Sequence, residues 1–292
     1  MHPYSIFYPK KEQNGILFNS PHSGTYLPEE FLGQISIDPD FLHFSGDILV
    51  DRLIENIPLS GATGFICHYA RAYVDTNRSP REIDPDMFHD QNKENNFERT
   101  GKVARGFGII SRKSYDGQAI YAGKLPASEI NHRLSLVYHP VHEALKNLLE
   151  QLHQKHGFSL LLDCHSMPSY EFINHFTHSG QIQAKQPDLI IGTCFGDSCR
   201  EDLSQHVADF FTNHGLKVTF NVPYAGGFNT GHYGTPQNDY HALQLEFNRA
   251  LYMDEKTLTP HEGFPHLQAL LTSLGENLNE NLARFFTLKK HF

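Results

Sequence analysis

The stretch "FSLLLDCHS" at residues 158–166 decides the fold class. Near-continuous apolar residues are typical of a strand buried on both faces, and here the polar residues Asp163 and His165 follow them directly. Similar short apolar runs bounded by Gly, Pro or Asn recur at residues 15–20, 64–70, 188–196, 216–224 and 242–247. Such runs predict the strands of one sheet.

Helical patterns lie between these runs. Apolar residues spaced three or four apart predict amphipathic helices over about 130–152 and 265–288, with a kink or junction at Pro140. Alternating buried strands and amphipathic helices favour an α/β fold, a three-layer αβα domain with a mixed, largely parallel central sheet. No convincing boundary divides residues 1–292, so we predict a single domain with a loop-rich excursion at about 79–124.

The composition excludes several classes of protein. A net charge of −9 with dispersed Lys and Arg provides no basic stripe for nucleic acid. No apolar run approaches 18 residues and the N-terminus lacks a signal-peptide pattern, so we expect a soluble, cytoplasmic protein that does not bind membranes. The four cysteines form no CxxC pair and are predicted to be reduced thiols. The sequence leaves the oligomeric state open.

Polar residues that end the apolar runs are the candidates for chemistry, because ligands of open α/β sheets bind beyond the carboxyl ends of strands. His22 follows one run, Asp163 and His165 end another, and Glu246 closes a third. Arg78 follows "YVDTN". Two histidines, acids and an arginine at strand ends are typical of a mononuclear metal hydrolase.

Catalytic zinc takes three protein ligands and keeps a fourth position for water. The third ligand is not obvious, because residue 25 is Thr where an HxxE motif would need Glu, and HExxH is absent. Asp47 in "SGDILVDRL" is our preferred carboxylate, and Asp51, one helical turn later, is its competitor. An aspartate before a helix is also common as an N-cap.

Two charged residues each allow two interpretations. Glu246 lies in an apolar run, where it is either in a structural ion pair, for example with Arg249, or a general base whose pKa burial raises. Arg78 is either an ion-pair partner of Asp75 or the group that stabilises an oxyanion.

The glycine-rich stretch "NVPYAGGFNTGHYG" at 221–234 is not a nucleotide-binding motif. It is either a long hairpin loop or a substrate-enclosing loop, with the Gly226 and Gly227 N–H groups and the Thr230 hydroxyl as donors to a carboxylate. His139 and His142 are more typical of surface residues than of a pocket. Cys164 is the best candidate for a thiol nucleophile.

Six separated segments resemble the N-formylglutamate amidohydrolase family: "NSPHSGTYLP", "GDILVDRL", "YVDTNRSP", "LLLDCHSMP", "NVPYAGGFNTGHYG" and "LQLEFNRALYMDE". The resemblance implies a relative of the zinc carboxypeptidase fold, with a mixed sheet of about eight strands and one Zn²⁺ per chain at strand ends. It also implies hydrolysis of N-formyl-L-glutamate to formate and glutamate, a late step of one histidine-degradation route.

The resemblance also implies the role of each site residue. His22, Asp47 and His165 would bind the metal. The segment departs from the family pattern at one position, because Ile48 follows Asp47 where an aromatic residue is expected. Glu246 would be the general base and Arg78 the oxyanion group, while Asp163 would orient the site. The candidates for binding the substrate carboxylates are Gly226, Gly227, Thr230, Asn248 and Arg249.

Other functions remain compatible with these residues. Another N-acyl amino acid or a peptide amide can be the substrate of such a site. A metal-free binding protein that retains the fold would contain no metal and would tolerate Glu246→Gln. A thiol hydrolase built on Cys164 would be inactivated by alkylation and indifferent to chelators.

Overall fold

A computed structural model describes residues 1–10, 12–89, 96–169 and 186–286. Its seven-stranded sheet has the order β1-β3-β2-β6-β9-β7-β8. These strands are β1 (Tyr4–Phe7), β2 (Ile16–Ser20), β3 (Thr63–Cys67), β6 (Ser159–Met167), β7 (Leu189–Gly192), β8 (Val218–Phe220) and β9 (Tyr240–Asn248). Two short pairs lie outside it, formed by β4 (Phe88–His89) with β5 (Leu125–Pro126) and by β10 (Met253–Asp254) with β11 (Thr259–Pro260).

The sheet is mixed. Strands β2, β6 and β9 are parallel neighbours, β7 runs antiparallel to β9, and β8 runs parallel to β7. All nine residues of β6 are buried although successive side chains point to opposite faces, so both faces of the sheet are covered there. The predicted α/β fold with a mixed, largely parallel sheet is confirmed.

The described helices are α1 (Glu29–Leu32), α2 (Pro39–His43), α3 (Val50–Leu53), α4 (Gly101–Ala104), α5 (Ser128–Arg133), α6 (His139–His156), α7 (Glu201–Asn213), α8 (Phe228–Tyr233) and α9 (Gly263–Phe285). The predicted helix at 265–288 corresponds to α9, and its last two predicted residues lie outside the described part of the chain. Among the helices that the structure describes, none combines the length and apolar character that crossing a bilayer requires.

A π-helical segment, Leu134–Tyr138, joins α5 to α6. It immediately precedes the turn that contains Pro140, where the sequence predicts a kink or junction. Proline has no N–H and its ring clashes with the carbonyl four residues earlier, so regular α-helical bonding cannot continue through this position. The wider π turn, with its i to i+5 hydrogen bonds, accommodates the interruption.

The chain forms two compact units. The first comprises Met1–Ser5, Pro21–Ile48 and Ile66–Leu145, and the second comprises Ile6–Ser20, Leu49–Phe65 and Lys146–Phe292. The predicted excursion at 79–124 belongs to the first unit, where its described residues include the short elements β4 and α4. The single-domain organisation stays a prediction.

Candidate metal centre

A row of polar side chains lies at the carboxyl ends of three parallel strands. The register pairs Asn19 of β2 with Asp163 of β6, and His165 of β6 with Glu246 of β9. Paired residues of parallel strands point to the same face, and residues two apart on one strand share that face. The four side chains therefore converge on one face of the sheet, as the positions of the apolar runs predict.

Asp163 orients His165. One carboxylate oxygen, Oδ2, lies 2.9 Å from His165 Nε2, and Oδ1 accepts hydrogen bonds from the amides of Asn19 at 2.6 Å and Asn229 at 3.4 Å. A carboxylate against Nε2 makes that nitrogen the N–H donor, so the lone pair of the neutral ring is on Nδ1. The role of Asp163 in orienting the site stays a prediction, and the sequence alone does not indicate the supporting contacts of Asn19 and Asn229.

His22 has a matching arrangement in the first unit. Its Nε2 lies 2.7 Å from Asp75 Oδ1, and its Nδ1 lies 3.3 Å from Asp47 Oδ2. The Asp47 N–H also donates to the His22 carbonyl oxygen at 2.9 Å, which fixes the two residues relative to each other. When Asp75 holds the proton on Nε2, the Nδ1 lone pair faces a carboxylate oxygen. A bound cation satisfies both electron-rich atoms.

The ligand atoms of His22, Asp47 and His165 all lie within 4.8 Å of one another, and the three residues are buried. This group can bind a metal ion. Two imidazoles and one carboxylate are the donor set of a catalytic zinc site, so these residues fit the metal that the resemblance implies. The group contains Asp47 and not Asp51, the carboxyl pKa of which is raised by burial.

Asp75 forms ion pairs with two arginines through its other carboxylate oxygen. Oδ2 lies 2.8 Å from Arg71 Nη2 and 3.5 Å from Arg78 Nε. Burial would raise the pKa of Asp75, but Arg71, His22 and Arg78 together outweigh burial and hold the pKa well below its usual range. The carboxylate is thus charged at neutral pH. The ion pair between Arg78 and Asp75 is confirmed, and the oxyanion role of Arg78 stays a prediction.

The helix from α5 to α6 anchors the segment that carries Asp75 and Arg78. Arg133 Nη1 donates to the Tyr73 carbonyl oxygen at 3.0 Å, and the Tyr138 hydroxyl donates to the Arg78 carbonyl oxygen at 2.8 Å. His142 Nε2 lies 3.0 Å from the Thr76 carbonyl oxygen. His142 is therefore half-buried against the backbone, whereas His139 is exposed, as expected of a surface histidine.

Glu246 is 7% exposed, and its Oε1 accepts a hydrogen bond from Gln244 Nε2 at 2.8 Å. Arg249 Nε donates to the Ser166 hydroxyl oxygen at 3.1 Å. Asn248 caps the turn after β9, because its side-chain oxygen accepts from the Ala250 N–H at 3.0 Å. The predicted contacts of Asn248 and Arg249 with substrate stay predictions.

The glycine-rich stretch is not a hairpin loop, because helix α8 occupies part of it and β8 does not pair with β9. Gly226 has φ +133°, and a Cβ there would lie 2.7 Å from Cys194 Sγ, so this position requires glycine. Gly227 immediately precedes α8. Within the described part of the chain, the Thr230 hydroxyl is buried without a hydrogen-bond partner, which suits a donor to substrate.

Cys164 points to the face of β6 opposite to His165, because adjacent residues of a strand alternate. Burial raises the pKa of its thiol well above the usual value, with a further contribution from Asp163. A buried, protonated thiol is a poor nucleophile. The geometry therefore argues against a thiol hydrolase.

A sequence profile of the N-formylglutamate amidohydrolases matches residues 14–253. The chain belongs to the N-formylglutamate amidohydrolase family. The family resemblance of the six sequence segments is confirmed.

The relatives of this N-formylglutamate amidohydrolase family member include two proteins named N-formylglutamate deformylase. That of Pseudomonas aeruginosa is 29% identical over 250 residues, which is 85% of each chain. That of Pseudomonas putida is 27% identical over 243 residues, 82% of each chain. Both names describe hydrolysis of an amide bond.

Solved structures agree with the family. The crystal structure of N-formylglutamate amidohydrolase from Ralstonia eutropha has a TM-score of 0.89 at 30% identity and covers 98% of this chain and 100% of its own. A gene product of Agrobacterium tumefaciens has a TM-score of 0.66 at 14% identity, with 97% of both chains covered. This second likeness is one of fold alone.

Proposed function

We propose that the protein is a zinc-dependent amidohydrolase that cleaves N-formyl-L-glutamate to formate and L-glutamate. The observation that carries this proposal is the buried group of His22, Asp47 and His165 in a member of this family. The names of the relatives support the formamide of N-formylglutamate as the bond that is hydrolysed.

In this proposal the three residues of the group hold one zinc ion. A zinc ion in such a site lowers the pKa of a water molecule to about 7 and polarises a carbonyl oxygen. Asp163 and Asp75 hold His165 and His22 by their Nε2 atoms and so direct Nδ1 of each ring. The carboxylates of Asp163 and Asp75 therefore set the orientation of the His165 and His22 rings before substrate binds.

Glu246 is the proposed general base. Its carboxylate is buried on the same face of the sheet as His165, because the two residues are paired on the neighbouring strands β6 and β9. It takes a proton from the attacking water and returns it to the nitrogen of the departing glutamate. The hydrogen bond from Gln244 holds Oε1 and thereby fixes the carboxylate plane.

Arg78 is the proposed oxyanion group. Its guanidinium is held by the ion pair with Asp75, and Tyr138 fixes its backbone carbonyl. A fixed cation near the formyl oxygen stabilises the negative charge that develops as the carbonyl is attacked. Gly226, Gly227, Thr230, Asn248 and Arg249 are the proposed contacts to the rest of the substrate.

The test measures metal and product together. The purified chain is analysed for zinc and assayed for formate release from N-formyl-L-glutamate before chelation, after chelation and after zinc restoration. About one zinc per chain with chelator-sensitive formate release supports the proposal. If metal is bound but no formate is released, N-formyl-L-glutamate is rejected as the substrate and another N-acyl amino acid is favoured. If no metal binds under any loading condition, His22, Asp47 and His165 are rejected as metal ligands and a metal-free binding protein is favoured.

The cellular setting follows from the same proposal. An enzyme that releases glutamate from its formyl derivative fits a late step of histidine degradation in the cytoplasm, and accumulation of N-formylglutamate in a deletion strain grown on histidine tests this assignment.

A further inference from the structure

The first unit contains a cavity of about 240 Å³ with Asp75 in its lining. This volume lies below the range of about 300–1,000 Å³ that is usual for pockets of drug-sized ligands, so it suits a small molecule. The polar side chains that line it are Ser45, Arg71, Asp75, Arg78, Ser111, Lys113 and Tyr115.

The lining carries more positive than negative charge, because three cations face one carboxylate. Asp75 is already paired with Arg71 and Arg78. The ammonium of Lys113 has no carboxylate within ion-pair distance in the described residues, although its side chain is half-buried. Such a cavity favours an anion.

A second observation also indicates an anion. Arg78 is 9% exposed, and its buried Nε has no hydrogen-bond partner among the described residues, with Asp75 at the long distance of 3.5 Å. Buried guanidinium donors are usually satisfied. A ligand with acceptor oxygens in this cavity supplies the missing partner.

The stem of Lys113 is held in place by the backbone beside it. A Cβ added at Gly106 would lie 2.9 Å from Lys113 Cγ, and Gly106 has φ +97°, which favours glycine. The Lys113 N–H also contacts the Gly106 carbonyl oxygen at 3.3 Å. The lysine is thus packed as part of the cavity wall.

The cavity is linked to the candidate metal ligands through one carboxylate. Asp75 lines the cavity with Arg71 and Arg78, and its Oδ1 lies 2.7 Å from His22 Nε2. The Asp75 carboxylate therefore contacts both the cavity and a candidate metal ligand.

We propose that this cavity binds the side-chain carboxylate of the N-acyl amino acid and that Lys113 is the residue that selects for it. The inference rests on the proposed function, since it concerns the same substrate. Arg71 is held by Asp75, whereas the Lys113 ammonium has three donors and no competing carboxylate. The substrate class is an acidic N-acyl amino acid.

The test compares two substrates that differ in one charge. The zinc-loaded full chain is assayed with N-formyl-L-glutamate and with N-formyl-L-glutamine, its neutral amide of the same shape. We expect Lys113→Met to lower kcat/KM for the glutamate substrate by about 10- to 100-fold and to leave the glutamine substrate within about two-fold. Lys113→Arg restores the preference in part, and Lys124→Met, at an exposed lysine of the same unit, retains it.

An equal loss for both substrates, or no loss in Lys113→Met, overturns the proposal. Calorimetric binding of L-glutamate and L-glutamine to the zinc-loaded protein separates this failure from failure of the proposed function, because it needs no hydrolysis. If no formate is released by the unmodified protein, tighter binding of L-glutamate that Lys113→Met abolishes still supports the cavity. Equal affinity for the two amino acids, or binding of neither, overturns it.

Discussion

His165 and Glu246 occupy paired positions on the neighbouring parallel strands β6 and β9, so their side chains lie on the same face of the sheet. Both are buried. One side chain is a candidate metal ligand, and the other is a carboxylate whose Oε1 accepts a hydrogen bond from Gln244. The pairing places the proposed base in the same row of residues as a candidate metal ligand, as the proposed activation of water requires.

Glu246→Gln is expected to abolish activity and to leave the metal in place. The amide cannot accept a proton but retains the shape of the side chain, so we expect kcat to fall by about 10²- to 10⁴-fold. Formate release and zinc content are measured on the same preparation. Glu276→Gln, at an exposed glutamate of α9, is the control. A variant that still releases formate at the original rate rules out Glu246 as the base.

Asp47→Asn is expected to lose zinc, whereas Asp51→Asn is expected to retain it. The Asp47 carboxylate lies within the ligand group, and an amide oxygen without the negative charge binds zinc more weakly. Zinc per chain after dialysis is measured for both variants, which serve as controls for each other. Loss of zinc from Asp51→Asn alone would transfer the ligand role to Asp51.

Asp163→Asn is expected to weaken zinc binding by about 10- to 100-fold while the ligands remain present. The neutral amide no longer holds the Nε2 proton of His165 with a full charge, and Asn19 and Asn229 lose their charged acceptor. Zinc affinity is measured by competition with a chelator of known affinity. Asp209→Asn, on the exposed face of α7, should match the unmodified protein. Unchanged affinity in Asp163→Asn would show that His165 is oriented by other contacts.

His241 is expected to make stability depend on pH. Burial lowers its pKa from 6.5 to about 4, with Arg200 adding to the effect. The folded state thus binds this proton more weakly than the unfolded state, so the contribution is fully present above pH 6.5 and is lost as the pH falls towards 4. Between pH 7 and pH 5 the loss is about 2 kcal/mol.

The measurement is urea unfolding at pH 7 and pH 5 for the unmodified protein and His241→Leu. The other histidines contribute equally to both proteins, so the difference between their pH dependences isolates His241. Equal pH dependences would mean that His241 titrates normally in the folded state.

The sequence indicates the centre of the candidate site because apolar runs mark buried strands and the polar residues after them mark strand ends. His22, His165 and Glu246 follow from this pattern alone, since β2, β6 and β9 are parallel and adjacent. The residues alone favour Asp47 only weakly over Asp51, because Asp47 precedes a short helix and matches no metal-ligand spacing, and the family resemblance adds the main support. Asp75 was noticed as a partner of Arg78, but its bond to His22 depends on tertiary structure.

The sequence alone does not indicate the role that we propose for Lys113. This lysine belongs to the loop-rich stretch at 79–124, which has no hydrophobic period, so nothing in the pattern indicates which side chain faces a cavity. Asn19 and Asn229 were missed for a different reason. An asparagine at a strand end and another in a short helix are common in turns and caps, and only the fold brings both amides to Asp163.

The π-helical segment fixes the rotational phase between the two parts of the helix that follows Ala127. Arg133 and Tyr138 are five residues apart, which in an α-helix turns their directions about 140° away from each other. The wider turn brings both to the strip of chain between Tyr73 and Arg78. Deleting one residue here would rotate one anchor away from that strip by about 100°. The contacts of Arg133 and Tyr138 therefore do not tolerate the insertion or deletion of even one residue in this helix.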